Sequence, residues 1–578
     1  MDMMRIFSMT MGAALLLPAD AQWPAERHPM YDICSPQKEQ PEAPASQLCI
    51  HITGENRLTG GQLPQQPRNA DESLQLHAWR GERSSAQLAV EANGRAPQLT
   101  ATCTGLSNGH TTIPVRVNML RYTKAHGTPV ADVIDHSKCC DNPAGVVRGL
   151  WLQVDVPQNA EPGTYQGEIA VSSAGSAPAT RKITLHVAPE KLPTPDQWHF
   201  HLDLWQHPQA VARWHDVEPW SPEHFALLRP IMKRLAEAGQ KSITCTLLDE
   251  AWNGQTYDWF PSLVKWIRGK DGQMRYDYTD LDKWVRFMHD EIGIREQISC
   301  YTMIPWHLSV QVFNEATGCY EQVKARPGEP AYEAIWAPFL RDFHRHMKQN
   351  GWAEKTCIAI DERPDHMVRE AMRLVATHAP AFRIASAVDK PSALTRDVYN
   401  ISPVITHAGS ALGDLLRERK AAGKITTFYV CLHPQKPNTF THSPMAEAEW
   451  LGLFAAANHL DGFLRWAYNS WNRNPFETTD FVHWPSGDCF LVYPGNHSSI
   501  RFERLRDGIE DYEKINQLRA RAAASPEATE IIRQMDAQLA EIFSVERSKG
   551  QNHAADVARA HEIITATASS LRKLNKNQ

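Results

Sequence analysis

The feature that most constrains this chain is a change of pattern at residues 189–196, where Pro189, Pro193 and Pro195 fall in quick succession. Proline fixes φ and removes a backbone donor, so neither a helix interior nor a central strand runs through such a stretch. With Glu190 and Lys191 beside them, these residues read as a linker between domains. On its amino-terminal side, residues 22–192, runs such as SAQLAVEAN, TIPVRVNMLRYT, GLWLQVDVP and TRKITLHVAP alternate apolar and polar residues and are broken by Gly, Pro, Asn and Ser. Period-two alternation with turn residues between the runs predicts a β-sandwich.

Beyond residue 196 short apolar, β-branched runs alternate with longer amphipathic segments. The runs at 198–205, 242–249, 297–303, 357–361, 383–388, 397–401, 425–432 and 462–468 are expected strands. Segments such as PEHFALLRPIMKRLAEAG and LDKWVRFMHDEIG, with apolar residues at steps of three and four and a terminal Gly, are expected helices. Eight strands alternating with helices predict a (β/α)8 barrel over residues 196–495. An open doubly wound sheet shares this pattern, but no Gly-rich phosphate loop follows the first strand. Residues 496–578 read as a helical extension packed on the barrel, with Ser525 capping a helix that has Pro526 at its first position. The segments 251–279 and 305–329 exceed ordinary loop lengths and are candidates for lids or aglycone contacts.

With 578 residues, 42% of them hydrophobic, the chain can bury more than one core. Its net charge of -6 is small and no Lys/Arg block forms a basic stripe, which argues against nucleic acid or an anionic membrane as partner. Residues 1–21 read as an export signal, with Arg5 ahead of an apolar run and Ala19-Asp20-Ala21 as a cleavage site. No later run reaches the length of a membrane span, so a soluble exported protein is expected. The 11 cysteines show no disulfide or zinc spacing, and the adjacent Cys139 and Cys140 are read as a strained or redox-labile pair. His199 and His201 lie two apart with no third ligand placed, so no metal or other cofactor is expected. A Gly-x-Ser-x-Gly elbow is absent.

Catalytic residues in a barrel project from the carboxyl ends of the strands. The fourth run, CIAIDERPDHM, ends on Asp361 and Glu362, and Pro364 enforces an extended or turning exit. Two carboxylates this close repel, so one retains a proton that the other gives up, which suits an acid beside an ionised partner. The second run, TCTLLDEAWNG, places Asp249 and Glu250 in the same way, and spacing does not separate the two pairs. Other strand ends offer a polar, aromatic mouth: Asp203 and Trp205 on the first, Trp306 and His307 after the third, Tyr429 on the seventh, and Arg465, Trp466, Tyr468 and Asn469 on the eighth. The 18 Trp residues fit flat sugar-stacking faces as well as core filling.

The stretch GDCFLVYPGNHSSIRFERLRDGIEDYE carries a Gly-Asp, a Tyr-Pro-Gly and an Arg-x-Glu-x-x-Arg-Asp-Gly-x-x-Asp-Tyr run between Gly487 and Tyr512. Here, and in its sandwich–barrel–tail layout, the chain resembles glycoside hydrolase family 123, the bacterial β-N-acetylgalactosaminidases. The resemblance implies that Asp361 and Glu362 form the catalytic pair, and that the substrate is a glycan or glycoconjugate with terminal β-linked N-acetylgalactosamine. It also implies a substrate-assisted retaining mechanism, in which the 2-acetamido group of the sugar attacks the anomeric carbon. Glu362 would then act as acid and base, Asp361 would orient the acetamido group, and Tyr429 would donate to its oxygen. A glycosidase using two ordinary carboxylates such as Glu250 and Glu362, and a non-enzymatic periplasmic glycan-binding protein, stand as alternatives.

Overall fold

The computed structural model describes residues 44–64, 73–550 and 552–576, so the expected export signal lies outside the described residues. Two sheets face each other at the amino-terminal end. One orders the strands Leu48–Ile52, Arg83–Ala92, Arg148–Asp155, Arg116–Ala125 and Thr128–Asp135. The other is built on Leu74–Arg80, Ala179–Lys191, Gly163–Ser172, Ala96–Cys103 and Cys139–Asn142. Their alternating apolar residues meet in one core that includes Leu88, Leu150, Leu152, Tyr165, Ile169 and Ile183, as a sandwich requires. Cys139 and Cys140 are successive residues of one strand and face opposite sides of it, Cys139 to solvent and Cys140 against the sandwich core. No disulfide joins the two.

The barrel follows. Its strands, in chain order, are His201–Leu204, Ser242–Thr246, Gln297–Tyr301, Thr356–Asp361, Arg383–Val388, Asn400–Pro403, Ile425–Tyr429 and Gly462–Arg465. All pair in parallel in the sequence 1-8-7-6-5-4-3-2, and the bridge of Leu202 to Gln240 brings the first strand back to the second. Buried on both faces, these strands read as continuous apolar runs, which made them legible. The sixth begins three residues later than its expected run, and between the fifth and sixth only the short turn Ala393–Arg396 stands where the pattern would place a helix.

The helix Pro222–Ala236 is capped by Ser221, whose side chain accepts the His224 amide, and Pro526–Ile542 is capped by Ser525 in the same way. Helix Ile500–Arg519 lies against Met445–Ala457 at a glycine contact. A Cβ on Gly452 would sit 2.2 Å from the Gly508 carbonyl oxygen, so neither position has room for a side chain. The segments 251–279 and 305–329 are not loose lids. Lys265–Arg268, Met274–Asp277, Ser309–Asn314 and Cys319–Lys324 pair into a four-stranded sheet standing beside the barrel.

Most side chains of Ile500–Arg519 are buried, its charged ones included, because sandwich and barrel cover it from both sides. Arg501 Nε lies 3.0 Å from Asp132 of the sandwich, which also receives Arg57 and the Tyr493 hydroxyl at 2.6 Å. Lys514 reaches Glu82 at 2.7 Å, and Glu503 accepts Gln153 at 2.7 Å. Ser498–Ser499, just ahead of the helix, adds a sixth strand to the first sheet of the sandwich, beside Thr128–Asp135. The motif between Gly487 and Tyr512 therefore welds the two domains together. Among the described residues no helix is long and apolar enough to cross a membrane.

Candidate active site

Side chains alternate along a strand, so on the fourth barrel strand Cys357, Ala359 and Asp361 form one row, whose first two members line the barrel interior. Asp361 is the last residue of that strand. Glu362 is the first beyond it, with φ of +40, and its amide still donates to the Ala387 carbonyl at 3.0 Å on the fifth strand. That left-handed conformation is costly for a residue with a side chain, and such strain collects at functional sites. It turns the Glu362 carboxyl to the mouth, where the Tyr429 hydroxyl from the seventh strand donates to it. The Trp306 indole N–H donates to Asp361 at 3.4 Å, and the Arg363 guanidinium lies 4.6 Å over the Trp306 ring.

Burial and the neighbouring Glu362 charge push the Asp361 carboxyl up to about 7, against a smaller downward pull from Trp306. Glu362 is reached by solvent at the mouth, yet the protein around it holds its carboxyl above the usual range, partly offset by the Tyr429 hydroxyl. Burial and the nearby Glu362 keep the Tyr429 proton in place at any physiological pH. The site thus holds two adjacent carboxyls, both held above the usual carboxylate range, each with its own donor.

Beside them Trp205, Trp252 and Tyr301 form a buried aromatic cluster, with Trp205 stacked on Trp252 at 4.9 Å and tilted against Tyr301 at 4.6 Å. Trp466 stands at the rim against Trp484. His307 is exposed at the rim and joins two loops, bonding Ser309 at 2.9 Å and the Asp249 carbonyl at 3.4 Å. Asp203 follows the same inward row as Trp205 one layer deeper, buried, with burial pushing its carboxyl up to about 7.

Three residues expected at the mouth belong to the scaffold instead. Arg465 is fully buried and donates to Asp488 at 2.6 Å. Tyr468 is fully buried, its hydroxyl on the Ile231 carbonyl at 2.9 Å. Asn469 is fully buried and clasps the His207 backbone, at 2.9 Å from both its amide and its carbonyl. Strand parity accounts for Arg465: Leu464 and Trp466 face the interior cluster, so their neighbour faces out. Trp252, Tyr301 and Arg363 were not anticipated. Tyr301 ends the third strand and Arg363 directly follows Asp361 and Glu362, so position alone marked both.

Asp249 and Glu250 lie three and four residues past the end of the second strand, not at it. Asp249 accepts the Ser262 amide at 2.8 Å and Glu250 accepts the Phe260 amide at 2.7 Å. Both carboxylates fasten the loop back on itself. His199 and His201 do not share a site either: the first bonds Glu513 at 3.1 Å, the second points into the barrel toward Asn400 at 3.2 Å. The one group of three metal-ligand types among the described residues, Glu449, Asp511 and His561, lies on the helices behind the barrel. Lys514 at 3.0 Å from Asp511 and Arg504 at 3.3 Å from Glu449 already supply positive charge there.

Residues 205–518 match the glycoside hydrolase 123 catalytic domain, and residues 60–173 match the glycoside hydrolase 123 N-terminal domain. The structure is similar to a family 123 glycoside hydrolase from Clostridium perfringens, a protein described for glycolipid glycan hydrolysis. The TM-score is 0.82 at 24% identity, over 91% of this chain and 99% of that one. A GH5 xyloglucanase from Bacteroides ovatus, at 10% identity over 76% of this chain and 99% of its own, reaches a TM-score of only 0.22 and carries no argument. No curated protein matches the chain significantly.

Proposed function

This chain belongs to glycoside hydrolase family 123, and on that premise we propose that it is an exo-acting, retaining β-N-acetylgalactosaminidase that works through its substrate's own acetamido group. The observation that carries the reading is the placement of Asp361 and Glu362 on one strand end while Glu250 is tied to the Phe260 amide. An ordinary retaining glycosidase needs carboxyls on opposite faces of the sugar, about 5 Å apart. Adjacent residues of one strand end approach from one wall, and the other candidate pair is engaged in its own loop. A nucleophile carried by the sugar resolves the geometry.

In this mechanism the acetamido carbonyl oxygen attacks the anomeric carbon from below the ring as the glycosidic bond breaks, giving an oxazolinium. Glu362 gives its proton to the departing oxygen, then takes one from the water that opens the oxazolinium, which restores the original anomeric configuration. Asp361, ionised, accepts the amide N–H and stabilises the positive charge growing on that group. In the free site Asp361 holds its proton up to about 7. An amide donor bound to it favours its anion, so substrate binding itself moves the shared proton to Glu362, where the reaction needs it. Holding the internal nucleophile in contact supplies an effective molarity of about 10⁵ M or more. The exposed Trp306 and the half-buried Trp466 at the rim offer flat faces to the pyranose, and the Tyr429 hydroxyl, which donates to Glu362 in the free site, is the donor for the acetamido oxygen.

The test is a panel of aryl β-hexosaminides with the anomer of the released sugar read by NMR. Cleavage of the 2-acetamido galactoside with retention, blocked by a thiazoline mimic of the oxazolinium, is the expected result. Inversion, or equal turnover of sugars lacking the acetamido group, overturns it.

A further inference from the structure

A second cleft lies between the domains, away from the mouth. It encloses about 650 Å³ and is lined from the sandwich by the start of strand Arg116–Ala125 and the segment after Thr128–Asp135, and from the barrel by the last turn of helix Pro222–Ala236. That turn leads into the second barrel strand at Ser242. The cleft therefore opens toward the amino-terminal ends of the strands, on the opposite side from Glu362.

The cleft is cationic in a chain whose overall charge is -6. Arg83, Arg116, Lys138, Lys233 and Arg234 line it, against Glu237 and Glu503. At its floor Glu503 is shared by Arg83 at 3.2 Å and Arg234 at 3.4 Å, two cations on one carboxylate. Arg116 reaches Asp155 at 2.5 Å, and that carboxylate is shared with Arg83 at 2.7 Å. Lys138 and Lys233 are exposed and, among the described residues, belong to no ion pair. They stand on different domains and face one space, so the cleft places unneutralised ammonium groups on both walls. Ammonium groups so placed gain little from the protein itself and attract an anion between them.

The rest of the lining specifies what kind of anion. Thr102, Asn118, Ser137 and Asn496 present hydroxyls and amides, and Val117 and Met119 give an apolar face. No Trp, Tyr or Phe lines it, so binding there rests on charge and hydrogen bonds and not on ring stacking. A bare inorganic anion fills a small fraction of such a volume and makes no use of an apolar face. We propose that this cleft binds an acidic oligosaccharide, a sulfated or uronate-bearing segment whose anionic groups meet Lys138, Lys233 and Arg116 while its hydroxyls meet the amides. The cleft would hold the enzyme on an acidic glycan while the mouth, at the far end of the barrel, remains free to work. This inference does not depend on which sugar the mouth cleaves.

The experiment uses the full chain and a heparin hexasaccharide, with its desulfated and carboxyl-reduced counterpart, sodium sulfate and a single-stranded DNA hexamer as comparison probes, read by calorimetry. The wild type is expected to bind the acidic hexasaccharide with an affinity that drops at least about tenfold from low to high salt, as exposed charge contacts require. The double variant Lys138→Glu, Lys233→Glu should lose at least about tenfold in affinity, since each removed contact of a charged group is worth about 1.5 kcal/mol or more, while its turnover of an aryl glycoside stays unchanged. Lys138→Gln, Lys233→Gln should give a smaller loss in the same direction, and serves if the reversal disturbs folding. Equal binding of the neutral counterpart, of sodium sulfate or of the DNA hexamer overturns the assignment. So does undiminished binding by both variants, or displacement of the hexasaccharide by a thiazoline that fills the mouth.

Discussion

Two Asp-Glu pairs follow two strands of the same barrel, and most local measures fail to tell them apart. Glu250 and Glu362 share a left-handed backbone, with φ of +47 and +40. Burial pushes a carboxyl up to about 7 in each pair, Glu250 in one and Asp361 in the other. The difference lies in what the carboxyls hold. Asp249 and Glu250 accept backbone amides of their own loop, whereas neither Asp361 nor Glu362 is tied to its own loop: they meet the Trp306 indole from the turn after the third strand and the Tyr429 hydroxyl of the seventh, at an open mouth. A perturbed carboxyl marks a site only when its lone pairs are not already assigned to the backbone.

The sharpest way to break this comparison is to neutralise the acid. Glu362→Gln should lower kcat/KM on a natural linkage by about 10³-fold, within the range for a lost general acid, and should spare dinitrophenyl glycosides, whose leaving group departs without a proton. Equal losses on both would remove Glu362 from the acid role. Asp361→Asn should cost about 10²-fold on both kinds of substrate, as loss of one charge-stabilising contact does. It should also raise thermal stability above neutral pH. The Asp361 carboxyl is raised from an unfolded value of about 4 to about 7, so its native state binds the proton more tightly than its unfolded state. Stability then falls as pH rises through that window, and the amide removes the fall. A melting temperature at pH 8 no higher than that of the wild type would show that the burial of Asp361 carries no such penalty.

At the other pair the expectations invert. Glu250→Ala leaves the buried Phe260 amide without an acceptor and should cost about 1–3 kcal/mol of stability, whereas Glu250→Gln keeps an oxygen for that amide and should fold like the wild type. Glu250→Gln should also retain kcat/KM within about tenfold, well short of an acid's loss. A drop comparable to that of Glu362→Gln would revive the arrangement of two ordinary carboxylates.

Much of this was legible in sequence, for reasons that also explain the failures. Buried parallel strands must be apolar along their length, so eight runs were visible; the expected linker is shorter than the prolines suggest, because the strand Ala179–Lys191 runs through Pro189 and pairs Lys191 with Arg80, leaving Pro193 and Pro195 beyond it. The sixth run was placed early because the apolar Val398 sits ahead of a strand that starts at Asn400 and ends on Pro403, two residues that strands avoid. Arg465, Tyr468 and Asn469 read as pocket residues in sequence, which shows proximity to a strand end without showing parity or a buried partner such as Asp488. The helix Ile500–Arg519 reads as a solvated, charged helix, since nothing local signals that a second domain will cover its outer face. The choice between the two Asp-Glu pairs came from resemblance; the amides of Ser262 and Phe260, thirteen and ten residues downstream, give it a physical ground.

The smallest expected effect falls on Trp306, which donates to Asp361. Trp306→Phe keeps the ring under Arg363 and removes only the N–H, so packing is preserved and a single hydrogen bond is lost. In the proposed mechanism turnover needs one proton on the pair, so activity should fall in acid when both carboxyls are protonated and in alkali when both are ionised. The indole N–H favours the Asp361 anion and pulls its carboxyl down. Without it Asp361 holds its proton to higher pH, so the limb of the kcat/KM profile governed by Asp361 should move upward by less than about one unit, the scale of a 1 kcal/mol contact. A several-fold loss with no movement of the limb would mean that Trp306 serves the sugar alone and leaves Asp361 unaffected.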